Sequence, residues 1–273
     1  MIDYWRDTER IVDNFKRKPG LVLVLTGAGI SSESGIPTYR GSDGYWNKES
    51  DNFLPMEIAT YSMFSRKPWF VWEWYLSRRV QCLNTEPNKG HFAIANMEKM
   101  EDFFLITQNI DNLHKKAGIS DNKIFEIHGN LNFARCYKEC SSEVYEVDEC
   151  FNYHVKGMDL SENEKRKLSC PKCGSMLRPN ILWFDECYDE VHFHFYSSTE
   201  LALKARLLIS VGTTGQTSLP IQILERVLIN KGLIIDINPD DNPFRSSAQK
   251  TGNAFLPYKS GEVLPRLSEM LMK

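Results

Sequence analysis

The sequence predicts an α/β protein built on a doubly wound parallel sheet. Six short runs are apolar almost throughout, as strands covered on both faces must be. Helix-like stretches lie between them, the alternation of βαβ units. The first apolar run ends in a glycine turn, at the edge where such sheets place ligands.

In chain order the expected strands are Leu21–Leu25, Phe103–Thr107, Ile124–Ile127, Ile181–Phe184, Leu207–Val211 and Leu233–Ile237. Helices are expected near His91–Met100, Val191–Ala205, Leu219–Ile229 and Val263–Met272. Two stretches break the alternation. Pro55–Thr85 is aromatic and helical in character; Arg135–Leu177 is polar, bears cysteines and lacks a long apolar run. Both read as insertions that build a small second domain. The large domain then takes about residues 8–45, 88–134 and 180–270, and the small one about 46–87 and 135–179.

The 273 residues, 42% hydrophobic and 25% charged, suit one large domain with a smaller one inserted. A net charge of -3 supplies no field for nucleic acid or a membrane surface. No apolar run reaches the length of a membrane span. The start, MIDYWRDTERIVDNF, is amphipathic and acidic, with no signal-peptide core. The expectation is a cytoplasmic, monomeric protein without nucleic-acid or membrane partners.

Gly27, Ala28 and Gly29 open the turn, but Ser32 stands at the sixth position of G-x-G-x-x-G, so that fingerprint is incomplete. Glu49 and Asp51 lie near the distance of a ribose-binding acid, yet YRGSDGYWNKESDNF is not a strand. G-x-G alone also fits a plain strand-to-helix turn. The continuation GISSESGIP is small and hydroxylated where a helix would want Ala and Leu. It reads as a mobile loop closing over a ligand, with Arg40 in reach of a phosphate.

TQNID ends a strand. Gln108, Asn109 and Asp111 suit ribose hydroxyls and a carboxamide; Asn109 and Asp111 suit a helix cap equally. His128 follows the IFEI run and precedes Gly129, an open strand-end position, and imidazole is matched to proton transfer near neutral pH. His91, His114, His154, His192 and His194 read as structural or surface residues. Cys136 and Cys140 (C-x3-C) and Cys170 and Cys173 (C-x2-C, in CPKCG) form two pairs suited to tetrahedral zinc in a closed structural site. Reduced free cysteines are the alternative, and Cys150 could replace Cys140. Cys82 and Cys187 read as unliganded.

GAGISSESGIPTYRG, TQNIDNLH, HGN, RPNILWFDE, GTT, IN and GEVLP follow one another in an order that resembles the sirtuins, over about residues 8–270. The resemblance implies a Rossmann-like NAD-dependent protein-lysine deacylase that consumes NAD as a co-substrate and carries a structural zinc. It implies NAD contacts at Gly27, Ala28, Gly29, Ile30, Ser31, Arg40, Tyr45, Trp46, Gln108, Asn109, Ile110, Asp111, Gly212, Thr213, Thr214, Asn238 and Pro239, with Ser260 on the adenine side. Asn109 would orient a water or ribose hydroxyl, Ile110 and Asp111 would lie near the nicotinamide carboxamide, and His128 would be the general base. Trp183, Phe184, Asp185 and Glu186 would bind the acyl-lysine protein or peptide.

Tyr75 and Arg78, spaced i, i+3, share one helical face. A phenol beside a guanidinium makes a carboxylate receptor; an amphipathic helix with a surface Arg is the alternative. Y-x-x-R here resembles the sirtuins that remove succinyl, malonyl and glutaryl groups, and Thr38 and the Gly44–Trp46 segment agree. Two departures stand out. Asp185 replaces the usual glycine of FGE, bringing charge to the acceptor edge. GTTGQTSLP is about one residue longer than usual, which reshapes Gly215–Ser218. The rivals are mono-ADP-ribosyl transfer or NAD cleavage, and a non-catalytic NAD-sensing module.

Overall fold

A side chain that alternates between two buried faces needs apolar cover on both. That requirement organises the computed structural model, which describes residues 3–38 and 53–273. Its elements run α1 (Tyr4–Arg17), β1 (Leu21–Thr26), a 3₁₀ helix (Ala28–Ser34), α2 (Pro55–Ile58), α3 (Tyr61–Arg66), α4 (Pro68–Leu83), α5 (Lys89–Met97), β2 (Phe103–Thr107), α6 (Leu113–Lys116), β3 (Ile124–Glu126), β4 (Gly129–Cys136), β5 (Val144–Glu146), α7 (Glu162–Lys167), β6 (Leu177–Ile181), α8 (Glu190–Phe193), α9 (Phe195–Lys204), β7 (Ala205–Val211), α10 (Ser218–Ile229), β8 (Leu233–Ile237), α11 (Pro243–Lys250), β9 (Ala254–Leu256) and α12 (Ser260–Met272).

The main sheet has the order β3-β2-β1-β7-β8-β9, and every neighbouring pair is parallel. Val22, Val24, Leu105, Leu207 and Ile209 face Ile11, Ile94 and Leu264 of α1, α5 and α12. Their alternates Leu23, Leu25, Ile106 and Leu208 face Ala202, Ile223 and Phe244 of α9, α10 and α11. The period of two in a strand thus divides each apolar run between two cores. The chain winds outward from β1 through β2 to β3, then returns to β7 on the other side of β1. The crevice between β1 and β7 is the topological switch point.

A second, antiparallel sheet has the order β5-β4-β6. A third core lies beside it, built from α2–α4 and residues 110 to 183, with Trp72, Phe151, Leu177 and Trp183 at its centre. Trp72 Nε1 donates to the Leu177 carbonyl at 2.9 Å, as a buried indole must find a partner.

Some expectations need correction. Ile181–Phe184 is not a strand of the main sheet. The strand is β6, Leu177–Ile181, paired to β4, and the chain turns at Trp183, whose amide donates to Glu186 at 3.0 Å. Val191–Ala205 is two helices, because His194 adopts the left-handed conformation (φ 53°) and Ala205 begins β7. The polar insertion contains β5 and takes in the end of β4, whose mixed composition hid them. Among the described residues no helix is long and apolar enough to cross a membrane.

Candidate active site

The C-terminal strand ends bring the motif residues together. Gln108 N donates to the Thr26 carbonyl (2.9 Å), Gly27 N to Val211 (2.9 Å), and Gly212 N to Ile237 (3.0 Å). Gly29 N then donates to the Gly212 carbonyl at 2.9 Å, locking the turn after β1 to the turn after β7. A Cβ on Gly27 would lie 2.8 Å from Gly212 O, and one on Gly29 2.7 Å from Gly212 Cα. These glycines are required first by the contact between two protein loops. Nor is the segment after them a loose loop: Ala28–Ser34 is a 3₁₀ helix closed by Gly35 at φ 87°, with Ile30 and Ser31 buried.

Beneath that helix lies a buried polar network. Ser31 Oγ donates to Asp111 Oδ2 at 2.7 Å and accepts from Asn109 Nδ2 at 3.1 Å. His91 Nδ1 accepts from Asn88 N (3.2 Å), so the neutral ring turns its Nε2 hydrogen toward Ser31, 3.4 Å away. Burial pushes His91 down to about 4 and His114 well below the usual histidine value. His114 Nε2 lies 2.9 Å from Thr26 Oγ1, which donates to Thr107 Oγ1. Asp111 fits the capping reading. Its Oδ1 accepts the Leu113 amide at 3.0 Å, at the start of α6, while Oδ2 holds Ser31. Burial raises its carboxyl, and those two donors oppose the shift.

Gln108 Nε2 donates to Thr213 Oγ1 (2.8 Å), and Asn238 Nδ2 to the Thr213 carbonyl (2.9 Å). Ile110 is buried at this edge; Thr214 and Pro239 are exposed along it. Ser260 Oγ donates to Glu33 Oε2 at 3.0 Å, tying the start of α12 to the 3₁₀ helix. Arg40, Tyr45 and Trp46 lie outside the described residues.

His128 stands between β3 and β4. Gly129 after it has φ 82°, and a Cβ there would meet Asn180 O at 1.8 Å, so only glycine fits. The His128 carbonyl accepts Leu182 N at 3.0 Å. Burial pushes its imidazole down to about 4, with the Gln108 backbone opposing. Its Nε2 lies 2.7 Å from the Tyr188 hydroxyl. Sequence reasoning missed Tyr188, for no motif or spacing links positions 128 and 188.

The Sγ atoms of Cys136, Cys140, Cys170 and Cys173 lie within 4.8 Å of one another. Cys136–Cys173 and Cys140–Cys170 are each 3.6 Å apart. Four sulfurs about 2.3 Å from zinc sit about 3.8 Å apart, so the cluster fits a closed tetrahedral zinc site. Cys150 and Cys187 are exposed and Cys82 is partly buried, and all three lie outside the cluster.

A sequence model described as the Sir2 family matches residues 27–218. The chain belongs to the Sir2 family. It is 41% identical over 248 residues to an NAD-dependent protein deacylase of Leptospira interrogans, covering 90% of this chain and 91% of the relative. It is 38% identical over 265 residues to an NAD-dependent protein deacylase of Pyrococcus furiosus, covering 96% and 97%. A solved Sir2 homolog–NAD complex superposes with a TM-score of 0.77 at 32% identity, over 100% of this chain and 94% of that one. A mutant Sir2 homologue bound to ADP-ribose gives 0.78 at 32% identity, over 99% and 97%.

In this Sir2-family chain the expected acceptor residues are largely spoken for. Asp185 does not project a free charge: its Oδ1 accepts Tyr61 N (2.7 Å) and its Oδ2 accepts Ser62 N (3.1 Å) at the start of α3. Glu186 is turned inward, with Arg178 donating to its two oxygens at 2.5 and 2.8 Å. The Arg178 guanidinium lies 3.5 Å from the Trp183 ring centroid. Trp183 is buried, and Phe184, at 55% exposure, carries the segment's apolar surface to solvent. Trp183 Nε1 donates to the buried Tyr75 hydroxyl at 3.1 Å. Arg78, half-buried, covers the Trp74 ring at 4.5 Å. Its neighbour Arg79 is the buried arginine of α4, donating to Asn132 (3.1 Å) and Asn152 (2.7 Å).

Two outcomes follow. Cys140→Ser is expected to lose bound zinc and lower the melting temperature, whereas Cys150→Ser retains both; metal content and calorimetry check this, and unchanged melting after confirmed metal removal would contradict a structural zinc. The second concerns pH. Below about pH 6.5 the unfolded chain protonates His91, which the folded chain refuses until about 4, so stability present above pH 6.5 is lost as pH falls through that window. Asp236, raised to about 6 by burial, acts in the opposite sense. The His91 contribution is therefore read as the difference between wild type and His91→Gln in denaturant midpoints at pH 7 and pH 5. The variant should lose less on acidification.

Proposed function

We propose that the crevice between the two cores binds NAD and an acyl-lysine side chain, and that the chain is an NAD-dependent protein-lysine deacylase. The observation that carries this is the hydrogen-bonded network of Ser31, Asn109 and Asp111 at the C-terminal strand ends, with His128 against the backbone of the adjoining Gln108. The amides after Gly27 and Gly212 suit a pyrophosphate. Asn238, Pro239 and Ser260 serve the adenosine side; Arg40, Tyr45 and Trp46 are assigned to NAD by family resemblance. Gln108, Asn109, Ile110 and Asp111 face the nicotinamide ribose and carboxamide. The large domain comprises about residues 8–45, 88–134 and 180–270, with the remainder as the small domain. We place the protein in the cytoplasm as a monomer.

The acyl oxygen of the modified lysine attacks C1′ of the nicotinamide ribose, and nicotinamide leaves. His128, neutral at physiological pH because burial holds it near 4, accepts a proton from the ribose. The freed hydroxyl attacks the imidate carbon. Water completes the reaction, releasing free lysine and O-acyl-ADP-ribose. Zinc, held by its four cysteines, is structural and takes no part in these steps.

The acyl preference we assign is for succinyl and malonyl groups, with deacetylation alongside. Tyr75 supports it: its hydroxyl accepts from Trp183 Nε1, one turn from Arg78 on α4. Mono-ADP-ribosyl transfer had its support in Asp185, and that carboxylate is occupied by the Tyr61 and Ser62 amides.

His128→Ala is expected to lower deacylation by about 10²-fold or more with melting unchanged; retained turnover would sink the mechanism. One lysine peptide bearing acetyl, succinyl, malonyl or glutaryl groups, incubated with NAD and read by mass spectrometry, tests the acyl preference. Arg78→Met should lower succinyl and malonyl removal about tenfold or more and spare acetyl removal. Equal effects on all acyl groups would return Arg78 to the surface of α4.

A further inference from the structure

Tyr188 lies between β6 and α8, with its ring beside Phe195 and against the core of α9 and α10. A phenylalanine would satisfy that packing. The hydroxyl adds two contacts: Nε2 of His128 at 2.7 Å, and Thr217. Burial pushes the phenol up to about 12, so it keeps its hydrogen at neutral pH. The Gln108 backbone also bears on the imidazole and favours the protonated ring, as a carbonyl accepting a ring N–H does. With Nε2 taken by the phenol, that N–H belongs to Nδ1. The neutral ring then carries its lone pair on Nε2, and the Tyr188 O–H donates into it.

We propose that Tyr188 is a positioning residue for His128, its hydroxyl holding the Nε2 lone pair in register for an arriving ribose hydroxyl. The proposal rests on His128 acting as the base of the deacylation. Thr217 Oγ1 donates to Gln108 Oε1 at 3.3 Å, and Gln108 Nε2 to Thr213 Oγ1 at 2.8 Å. The phenol therefore stands between the base and the loop that follows β7. When the ribose hydroxyl takes its place at Nε2, the Tyr188 O–H turns to Thr217. No bond to Tyr188 forms or breaks, and it neither gains nor loses a proton; the ribose proton passes to Nε2.

The test separates the step before the base acts from the step that needs it. Exchange of labelled nicotinamide into NAD, with an acetyl-lysine peptide present, reports cleavage at C1′. Product release reports the later proton transfer. Tyr188→Phe should keep exchange within about twofold and lower deacylation turnover about tenfold, with KM for NAD and melting unchanged. A parallel fall in exchange and deacylation, or no change in deacylation, would overturn the proposal. ¹⁵N NMR of the histidine rings in the ligand-free protein gives a readout independent of activity. Wild type should show His128 protonated at Nδ1 and not at Nε2, and Tyr188→Phe should shift Nε2 alone. An unmoved Nε2 overturns the contact. A wild-type protein that neither exchanges nor deacylates would overturn the activity reading, and the NMR result would still decide the contact.

Discussion

Three glycines hold the crevice. Gly27 and Gly29 approach Gly212 so closely that no Cβ fits on any of them, and Gly212 at φ 58° would also press a Cβ to 2.6 Å from Ile30 N. This contact joins the two halves of the doubly wound sheet at the point where its winding reverses. Backbone amides from both halves therefore edge one space, and the 3₁₀ helix is set above Asn109 and Asp111. The cost of the arrangement is conformational entropy, which glycine loses more of than any other residue on folding.

Polar groups this deep need partners, since each one left alone costs about 1–3 kcal/mol. Ser31 meets the need by serving three neighbours: Asp111, Asn109 and His91. His91 and His114 are held uncharged by burial, and His91 further disfavours a charge on His114. Asp111 is the acid within the network, steadied by Ser31 and a helix-terminal amide. The crevice is thus preorganised, and charge on an incoming ligand is weakly screened there.

The four-cysteine cluster and His128 sit at opposite ends of one strand pair. Gly129 pairs with Ile181, next to His128, and Cys136 pairs with Leu177, ahead of which come Cys170 and Cys173. Arg135 pairs with Arg178 between them, and Glu186 draws both guanidinium groups together, Arg135 at 3.7 Å. Fixing four sulfurs on one metal therefore braces the strand that ends at Ile181 and the strand that begins beside His128.

The sequence by itself determined the interior strands: Phe103–Thr107 and Leu233–Ile237 coincide with β2 and β8, because a strand buried on both faces must be apolar at every position. It determined the Cys170–Cys173 pair and the strand-end glycines, since metal geometry and close backbone approach demand those residue types at fixed local spacing, whereas the fold chose Cys140 over Cys150. Tertiary structure alone decided what long-range pairing supplies. β4 reads as polar because its partners, not its own composition, make it a strand. Asp185 looks like an exposed charge until the amides of α3 arrive from more than a hundred residues away. Tyr188 meets His128 across 60 residues, and no local pattern encodes that contact. Periodicity and spacing record what a residue's neighbours in the chain require; a hydrogen-bond partner brought by the fold leaves no such record.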